Sequence, residues 1–205
     1  MPDPISWAGV WPYYVAIFLG AYLAGSIPFG MLLAQGMGLG NLRDIGSGNI
    51  GATNVLRTGN KKAAAMTLLF DGAKGAVAVL LARYLAGEDA AQIAALTAML
   101  GHCFPVWLRF NGGKGVATFL GIMLVLAWPV GIGCCLFWLV AVAATRVSSM
   151  GALAAASSST FLLVILGYGY MLMMGIALTI LLYVRHRANI LRMKEGTEPK
   201  IGQKG

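Results

Sequence analysis

The stretch GVATFLGIMLVLAWPVGIGCCLFWLVAVAAT, residues 115–145, contains no aspartate, glutamate, lysine or arginine. Its length and composition are typical of membrane-spanning helices, each of which needs about 20 mainly apolar residues. Trp128-Pro129 interrupts the run and predicts a break between two helices. Helices are expected because a lipid-embedded segment has to satisfy its own backbone hydrogen bonds. The stretch therefore predicts two successive helices in a membrane.

The rest of the chain has the same apolar character. Of its 205 residues, 59% are hydrophobic and only 11% are charged, and the mean hydropathy is +0.77. Soluble proteins carry roughly 25% charged residues. A soluble fold of this size could not bury so much apolar surface, whereas a bilayer provides an apolar solvent for it. The composition therefore favours an integral membrane protein.

Seven apolar segments can be marked along the chain. They lie at about residues 11–35, 62–86, 90–108, 115–128, 130–145, 149–166 and 168–184. Residues 145–149 and 167–169 predict further breaks between helices. The run 116–128 is the weakest, which leaves five spans as an alternative. We predict an all-α polytopic integral membrane protein with about seven transmembrane helices, forming a single membrane domain over residues 1–205.

The distribution of basic residues predicts the orientation of the chain. With seven crossings, all but two of the 15 Lys and Arg residues fall on one side. The exceptions are Lys74, inside a segment, and Arg83, which lies near Glu88 and Asp89. Cytoplasmic segments carry such an excess of basic residues, so the N-terminus is expected outside and the C-terminus in the cytoplasm. The predicted cytoplasmic parts are the loops at about 41–61, 109–115 and 145–149 and the tail 185–205.

The remaining charges and the cysteines indicate no further ligand. The formal net charge of +8 follows from the orientation, so we expect no nucleic-acid partner. Cys103, Cys134 and Cys135 lie in apolar runs without CxxC spacing, which argues against a disulfide framework or a zinc site. Asp71 and Lys74 are three residues apart and could form an ion pair. Because an isolated charge in a bilayer is costly, pairing or a polar cavity is expected, and a structural role is favoured. We expect neither a metal nor an organic cofactor.

Residues 46–57, GSGNIGATNVLR, form the first of three polar stretches. Their glycines would let backbone N–H groups approach a ligand closely. Ser47, Thr53 and Asn54 offer uncharged hydrogen bonds, and Arg57 offers a bidentate contact to phosphate. A flexible loop that caps the next helix is the alternative, but such a loop does not require this mixture of glycine, asparagine and arginine.

The second polar stretch joins GHCFP at 101–105 to NGGKG at 111–115. Gly-Gly-Lys-Gly resembles a phosphate cradle, with backbone donors beside one ammonium, although its spacing differs from that of a P-loop. A helix cap followed by a cytoplasmic lysine is the alternative. His102 is a candidate acid, base or phosphate ligand, or else a hydrogen-bonded histidine at a helix end.

The third polar stretch is RHRANI at 185–190, which continues to Glu198. On a continuing helix, His186 and Asn189 would share a face. Taken alone, a solvated basic helix end is the simpler interpretation of this stretch.

Together the three stretches resemble the signature motifs of the membrane-embedded bacterial acyl-phosphate–glycerol-3-phosphate acyltransferases. The matching strings are GSGNIGATNVLR, GHCFPVWLRFNGGKGVATFLG and RHRANILRMKEGTEPK, in the family's order. The resemblance implies transfer of a fatty acyl group from acyl phosphate to glycerol 3-phosphate, giving lysophosphatidic acid and phosphate. This is the first acylation of bacterial phospholipid synthesis. The resemblance also implies seven helices and an active site on the cytoplasmic side of the bacterial inner membrane.

The resemblance, with the polar character of the stretches, implies which residues act. Those expected to be catalytic are Ser47, Arg57, His102, Lys114, His186 and Asn189. Those expected to contact substrate or phosphate are Asn49, Thr53, Asn54, Gly112, Gly113, Gly115 and Ser148. Glu198 is expected to be structural. The expected partners are fatty acyl phosphate, glycerol 3-phosphate and the bilayer, and the oligomeric state is left open, with a monomer as one option.

The residues favour direct transfer without an acyl-enzyme. An acyl phosphate is a mixed anhydride whose phosphate leaves readily, and Cys103 cannot face the adjacent His102 on a helix. Two phosphates repel each other, so Arg57 and Lys114 are expected to hold them. Arg43, Lys61, Lys62 and Arg109 are candidates for an outer ring of cations, although Lys61 and Lys62 fit better as residues that mark the membrane boundary by snorkelling. The proton acceptor is left open among His102, His186 and a substrate phosphate.

Three other classes of protein fit less well. Acyltransferases that use acyl-CoA or acyl carrier protein carry a His-x4-Asp motif, but Trp107 and Leu191 stand at the corresponding positions. The CDP-lipid alcohol phosphotransferases, which Asp71-Gly72-Ala73 faintly resembles, need several aspartates on adjoining turns. A transporter predicts internal repeats and ionisable residues near the bilayer midplane, whereas the polar residues here gather on one side.

Overall fold

The computed structural model describes residues 7–202, and those residues form helices joined by turns, without a strand. The first six and the last three residues of the predicted domain lie outside this range. The helices are α1 (Trp7–Ser26), α2 (Phe29–Gly36), α3 (Ala52–Leu56), α4 (Lys61–Cys103), α5 (Val116–Leu126), α6 (Trp128–Thr145), α7 (Ser148–Ile165), α8 (Leu172–Arg185) and α9 (Arg187–Lys194). The all-helical prediction is confirmed.

Four helical stretches of the described chain are long and apolar enough to cross a membrane. They are residues 9–36, 61–108, 128–145 and 148–165. Residues 169–194 make a fifth if the bent pair α8 and α9 counts as one span. Length and composition alone therefore give four or five spans, because α5 has only 11 residues and α4 counts as a single helix; the seven predicted spans are not confirmed by this count.

Helix α4 is in fact a hairpin. Gly87, with φ 85° and ψ −166°, interrupts the helical backbone. The Asp71 Oδ1 and His102 Nδ1 atoms are 3.7 Å apart, whereas a straight helix would separate these residues by about 45 Å. The chain must therefore reverse at Gly87, and the two arms lie antiparallel. This reversal agrees with the predicted break between residues 86 and 90.

Helix α1 packs against both arms of the hairpin. Ala21 of α1 belongs to one buried cluster with alanines of both arms, among them Ala82 and Ala94. The contact is close because a Cβ on Gly25 would lie 2.1 Å from the Ala98 carbonyl oxygen, and one on Gly101 would lie 2.2 Å from that of Tyr22. Small residues allow this approach in membrane helices.

The first apolar segment is not one continuous helix. Helix α1 ends at Ser26, and α2 begins at Phe29, because Pro28 has no N–H group to continue the ladder. At the break, the carbonyl of Ile27 accepts hydrogen bonds from the Phe29 N–H at 3.1 Å and from the Lys74 Nζ at 2.7 Å. The predicted single span over residues 11–35 is therefore two helices joined by a capped break.

An ion pair marks the end of the bundle where the hairpin turns. Arg83 contacts both carboxylate oxygens of Glu88 at 2.8 Å. The same guanidinium donates to the carbonyls of Val125 and Leu126, where α5 ends. The opposite end of the bundle, called the motif end here, is formed by residues 41–60, 104–115, 146–149 and 186–202. All three polar stretches lie there.

Candidate active site

Asn54 organises the first motif. Its side-chain Nδ2 donates to the carbonyls of Leu42 and Asn49 at 3.0 and 2.7 Å. Its Oδ1 accepts from the backbone N–H and the hydroxyl of Ser47 at 3.1 and 3.3 Å. Asn54 is only 2% exposed. The Asn54 side chain therefore uses its amide to hold the first-motif loop together, and the Ser47 hydroxyl lies at the edge of that loop.

Arg57 projects across the same loop. A Cβ on Gly46, which has φ +51°, would lie 2.5 Å from the Arg57 side chain. The Arg57 Nη1 makes one long hydrogen bond, 3.4 Å, to the Asn54 Oδ1. Within residues 7–202, no other hydrogen bond to the Arg57 side chain is present, so its remaining donors are available to an anion. Gly46 is required because any side chain there would displace the guanidinium.

The second motif forms a tight loop over the end of α4. The N–H groups of Gly112 and Gly113 donate to the carbonyls of Cys103 and His102, both at 3.1 Å. The Arg185 guanidinium donates to the carbonyls of Gly112 and Gly113 at 3.1 and 3.0 Å. These two glycines thus use their N–H groups to bond the end of α4, and the predicted phosphate cradle needs other donors.

Close approach explains why residues 112 and 113 are glycines. A Cβ on Gly112 would lie 2.2 Å from the His102 carbonyl oxygen, and one on Gly113 would lie 2.2 Å from the His102 Nε2. Gly115 has φ +84°, and its Cβ would meet the Met99 methyl at 2.2 Å. The loop is therefore pressed onto His102 and Met99, and this packing fixes the position of Lys114.

Lys114 is the half-buried cation at the centre of the motif end. No side chain of the described residues accepts a hydrogen bond from its ammonium. Burial lowers the pKa of Lys114 to about 8; the nearby arginines 57, 185 and 192 also lower it, whereas Glu198 opposes the shift. A partly desolvated ammonium among three guanidinium groups is a site that an anion would stabilise.

The third motif bends at His186 by 60° instead of continuing as one helix. His186 is 2% exposed, and its Nδ1 lies 2.8 Å from the Leu182 carbonyl oxygen. Because a carbonyl only accepts, Nδ1 carries the proton and Nε2 is an acceptor. Asn189 is buried on α9, and its Oδ1 has no hydrogen-bond partner within the described chain. The helix that was expected to continue is therefore bent at His186, and the buried polar side chains of His186 and Asn189 lie at the bend.

Glu198 ties the tail to the helices. Its Oε1 accepts from the Ser149 hydroxyl at 2.7 Å and from the Asn189 side chain, and its Oε2 accepts from the Arg192 Nε at 2.7 Å. Burial alone would raise the pKa of Glu198, but these three donors together hold it below its usual value. The tail continues to Ile201, whose N–H donates to the Arg146 carbonyl at 2.7 Å.

Two further contacts bring the motifs together. The Thr53 hydroxyl lies 3.1 Å from that of Ser148, which joins the first motif to the start of α7. The Arg43 guanidinium donates to the carbonyls of Gly48 and Asn111, which joins the first motif to the second. All the predicted site residues therefore lie at one end of the bundle, although Asn54, Gly112 and Gly113 use their donors within the protein.

The outer cations are arranged more loosely. Arg43 and Arg109, together with Trp107, line an open depression of about 540 Å³ beside the motif loops. Lys61 and Lys62 begin α4 and are exposed, so their side chains lie at the boundary of the bundle. The predicted ring is therefore represented by two arginines near the site and two lysines farther along the surface.

Sequence reasoning did not select Arg185 and Arg192. Both were attributed to a solvated basic helix end, yet Arg185 holds the second-motif loop and stacks 5.1 Å from the Phe104 ring centroid. Arg192 follows Asn189 by three residues, so the spacing places both on one helix face. This three-residue spacing could have identified Arg192 as a site residue from the sequence. Within residues 7–202, no group of three His, Cys, Asp or Glu side chains could hold a metal ion.

Comparison with known proteins identifies the family. A family model described as glycerol-3-phosphate acyltransferase matches residues 15–196. A glycerol-3-phosphate acyltransferase of Ruegeria pomeroyi is 69% identical over 183 residues, covering 89% of this chain and 90% of the relative. One of Roseobacter denitrificans is 68% identical, covering 89% of this chain and 92% of the relative.

Two solved structures share the fold. Both are crystal structures of PlsY (YgiH), an integral membrane glycerol 3-phosphate acyltransferase. The glycerol 3-phosphate form has a TM-score of 0.88 and 37% identity, covering 92% of this chain and 96% of that chain. The lysophosphatidic acid form has a TM-score of 0.84 and 35% identity, covering 92% and 95%. The chain therefore belongs to the family of integral membrane glycerol-3-phosphate acyltransferases.

Proposed function

We propose that this enzyme takes its acyl group from a fatty acyl phosphate and transfers it to glycerol 3-phosphate, giving lysophosphatidic acid and phosphate. The observation that carries the proposal is the cluster of Lys114 with three arginines at one end of an apolar helical bundle. Such a cluster suits two phosphate groups that would otherwise repel each other. An acyl phosphate would place its chain in lipid and its head at this end.

We place the active site on the cytoplasmic side of the bacterial inner membrane. The reversal at Gly87 supports seven crossings, because the two arms of α4 then count separately and α5 makes another short crossing. Seven crossings put the N-terminus outside and the C-terminus inside. The motif loops at 41–61, 109–115 and 145–149 and the tail 185–205 would then be cytoplasmic, within a single membrane domain over residues 1–205. The chain contributes every motif, so a monomer suffices.

Transfer needs one bond to form and one to break. The primary hydroxyl of glycerol 3-phosphate attacks the acyl carbonyl carbon, and the bond from that carbon to the phosphate oxygen breaks. We assign Arg57 and Ser47 to the leaving phosphate, and Lys114 to the phosphate of glycerol 3-phosphate. The unpartnered Asn189 Oδ1 is an acceptor for a substrate hydroxyl. Fixed cations of this kind stabilise the charge that develops on the leaving phosphate.

We propose that a substrate phosphate receives the hydroxyl proton. His102 and His186 are 4% and 2% exposed. The His102 ring lies under the Gly113 backbone, and the His186 ring is held by Leu182. Both imidazoles are therefore poorly placed to exchange protons with solvent after each turnover. A phosphate has a second pKa near 6, which suits a base at neutral pH.

The histidine variants are expected to lose rate without losing the acidic limb of the pH profile. His186→Ala and His102→Ala would disturb positioning and lower kcat, whereas the limb set by a phosphate pKa near 6 should remain. Recording kcat/KM from pH 5 to pH 9 for each variant, beside the unmodified enzyme, measures this. A limb that disappears in either variant would make that histidine the base.

The donor is tested with purified enzyme in lipid nanodiscs. Phosphate release from palmitoyl phosphate should depend on added glycerol 3-phosphate, and lysophosphatidic acid should form in equal amount. Palmitoyl-CoA offered in parallel should give no product, because the chain lacks the His-x4-Asp motif. Product from palmitoyl-CoA alone would reject acyl phosphate as the donor while leaving glycerol 3-phosphate as the acceptor.

A further inference from the structure

A buried polar cluster lies beneath the second-motif loop. Asp71, Lys74 and His102 are 2%, 7% and 4% exposed. The Asp71 Oδ1 accepts from the Lys74 Nζ at 2.7 Å and lies 3.7 Å from the His102 Nδ1. Buried charges are costly and are kept where they are paired. The Lys74 ammonium compensates the charge of Asp71. The same carboxylate oxygen also faces the His102 ring and therefore acts on the imidazole.

The carboxylate selects one tautomer of His102. The His102 Nδ1 is buried and has no hydrogen-bond partner within the described chain. An ionised carboxylate is only an acceptor, so it attracts an N–H and repels a ring lone pair. Water does not screen this preference in a sealed cluster, where electrostatic interactions are strong. The proton of neutral His102 therefore belongs on Nδ1, and the lone pair lies on Nε2.

The other edge of the ring supports the loop. The Nε2 is the nearest atom to a Cβ built on Gly113, at 2.2 Å, so the backbone of the loop lies directly on that nitrogen. The Gly113 N–H also donates to the carbonyl of His102 at 3.1 Å. Lys114 follows immediately. Rotation of the His102 ring, or a proton on its Nε2, would displace the loop. The Lys114 ammonium, which binds substrate in the proposed function, would move with it.

We infer that Asp71 is a positioning residue for glycerol 3-phosphate: it holds His102 in the Nδ1–H tautomer, and that ring sets the position of the loop carrying Lys114. Two hydrogen bonds fix the position of Asp71 and of its partner Lys74. Its carbonyl accepts from the Thr118 hydroxyl at 2.8 Å, and its partner Lys74 is fixed by the Ile27 carbonyl. The inference rests on the proposed role of Lys114, and its tests do not depend on which acyl donor is used.

The tautomer is measured first, on the unmodified protein. The chain has only two histidines, so selective ¹⁵N-histidine labelling gives two imidazole signals in an NMR spectrum. A His186→Gln sample identifies which signal belongs to His102. The His102 signal should show a protonated Nδ1 and an unprotonated Nε2. A protonated Nε2 would overturn the inference without any change to the cluster.

A matched pair of variants then tests the link to substrate. Asp71→Asn with Lys74→Met removes both charges but keeps a side-chain oxygen, an electronegative atom that can face the His102 Nδ1–H. Asp71→Leu with Lys74→Met removes that oxygen too. Replacing a buried ion pair by apolar residues is often neutral for stability, and the two variants share the same loss at position 74. Comparing them therefore isolates the acceptor at position 71.

The readout is the Kd for glycerol 3-phosphate in nanodiscs, measured without an acyl donor. The leucine variant should bind about tenfold more weakly than the asparagine variant, at the lower end of the 10- to 100-fold loss typical when a partner that orients a metal-ligating histidine is removed. In a His102→Ala background the difference between asparagine and leucine should vanish. Equal Kd values for the two variants, or a difference that persists without His102, would show that Asp71 does not act through the imidazole.

Discussion

Replacing Arg57 by alanine should lower kcat/KM for acyl transfer by roughly 10²- to 10³-fold, which is typical of losing one preorganised group that stabilises transition-state charge. Arg57 presents free guanidinium donors across the first-motif loop, and among residues 7–202 its side chain hydrogen-bonds to Asn54 alone, through one long contact. The loop should keep its fold because Asn54 forms its hydrogen bonds without Arg57. Steady-state kinetics in nanodiscs measure the loss, and thermal unfolding checks that the variant is folded.

Two further variants make the Arg57 result specific. Arg187→Ala removes an exposed cation from the same end of the bundle and should stay within about twofold of the unmodified enzyme, because exposed charges contribute little. Arg57→Lys keeps the charge but not the bidentate geometry and should recover only part of the activity. If Arg57→Ala and Arg187→Ala lose the same activity, the site requires general positive charge and no particular contact with Arg57.

The sequence predicted the helical class and several helix boundaries. The breaks expected near Trp128, at 145–149 and at 167–169 fall where α6 and α7 begin and end. The break at Pro28 was missed because the apolar run continues through it, and hydropathy does not register one lost hydrogen bond. Whether an 11-residue helix such as α5 crosses a bilayer depends on packing against α4 and α6, which no local pattern contains.

The candidate site was predictable as a set of residues but not as an arrangement. Motif resemblance selected Lys114, but sequence could not show that the glycines beside it spend their N–H groups on the backbone of α4. Asp71 and Lys74 were expected to pair, and they do at 2.7 Å. Their proximity to His102 depends on the reversal at Gly87, so the contact joins residues that a continuous helix would keep far apart.

Lys114 should give the enzyme an alkaline limb that an arginine abolishes. Burial lowers the pKa of Lys114 to about 8, so the ammonium is present below that pH and lost as the pH rises through it. If the ammonium holds glycerol 3-phosphate, kcat/KM should fall above about pH 8, since this ratio reports the ionisation of the free enzyme. Lys114→Arg should remove the limb, because a guanidinium stays protonated throughout this range.

Lys114→Met separates the loss of charge from the loss of the side chain. Methionine keeps the length and apolar stem, so the loop should remain seated on His102 and Met99. At pH 7 the variant should bind glycerol 3-phosphate roughly 10- to 100-fold more weakly, matching the 1.5–3 kcal/mol typical of a charged hydrogen bond. Above pH 8 the unmodified enzyme should approach the methionine variant, because deprotonation removes the same charge. An alkaline limb that persists in both variants would belong to another group, and unchanged glycerol 3-phosphate binding by Lys114→Met at pH 7 would exclude Lys114 from anion binding.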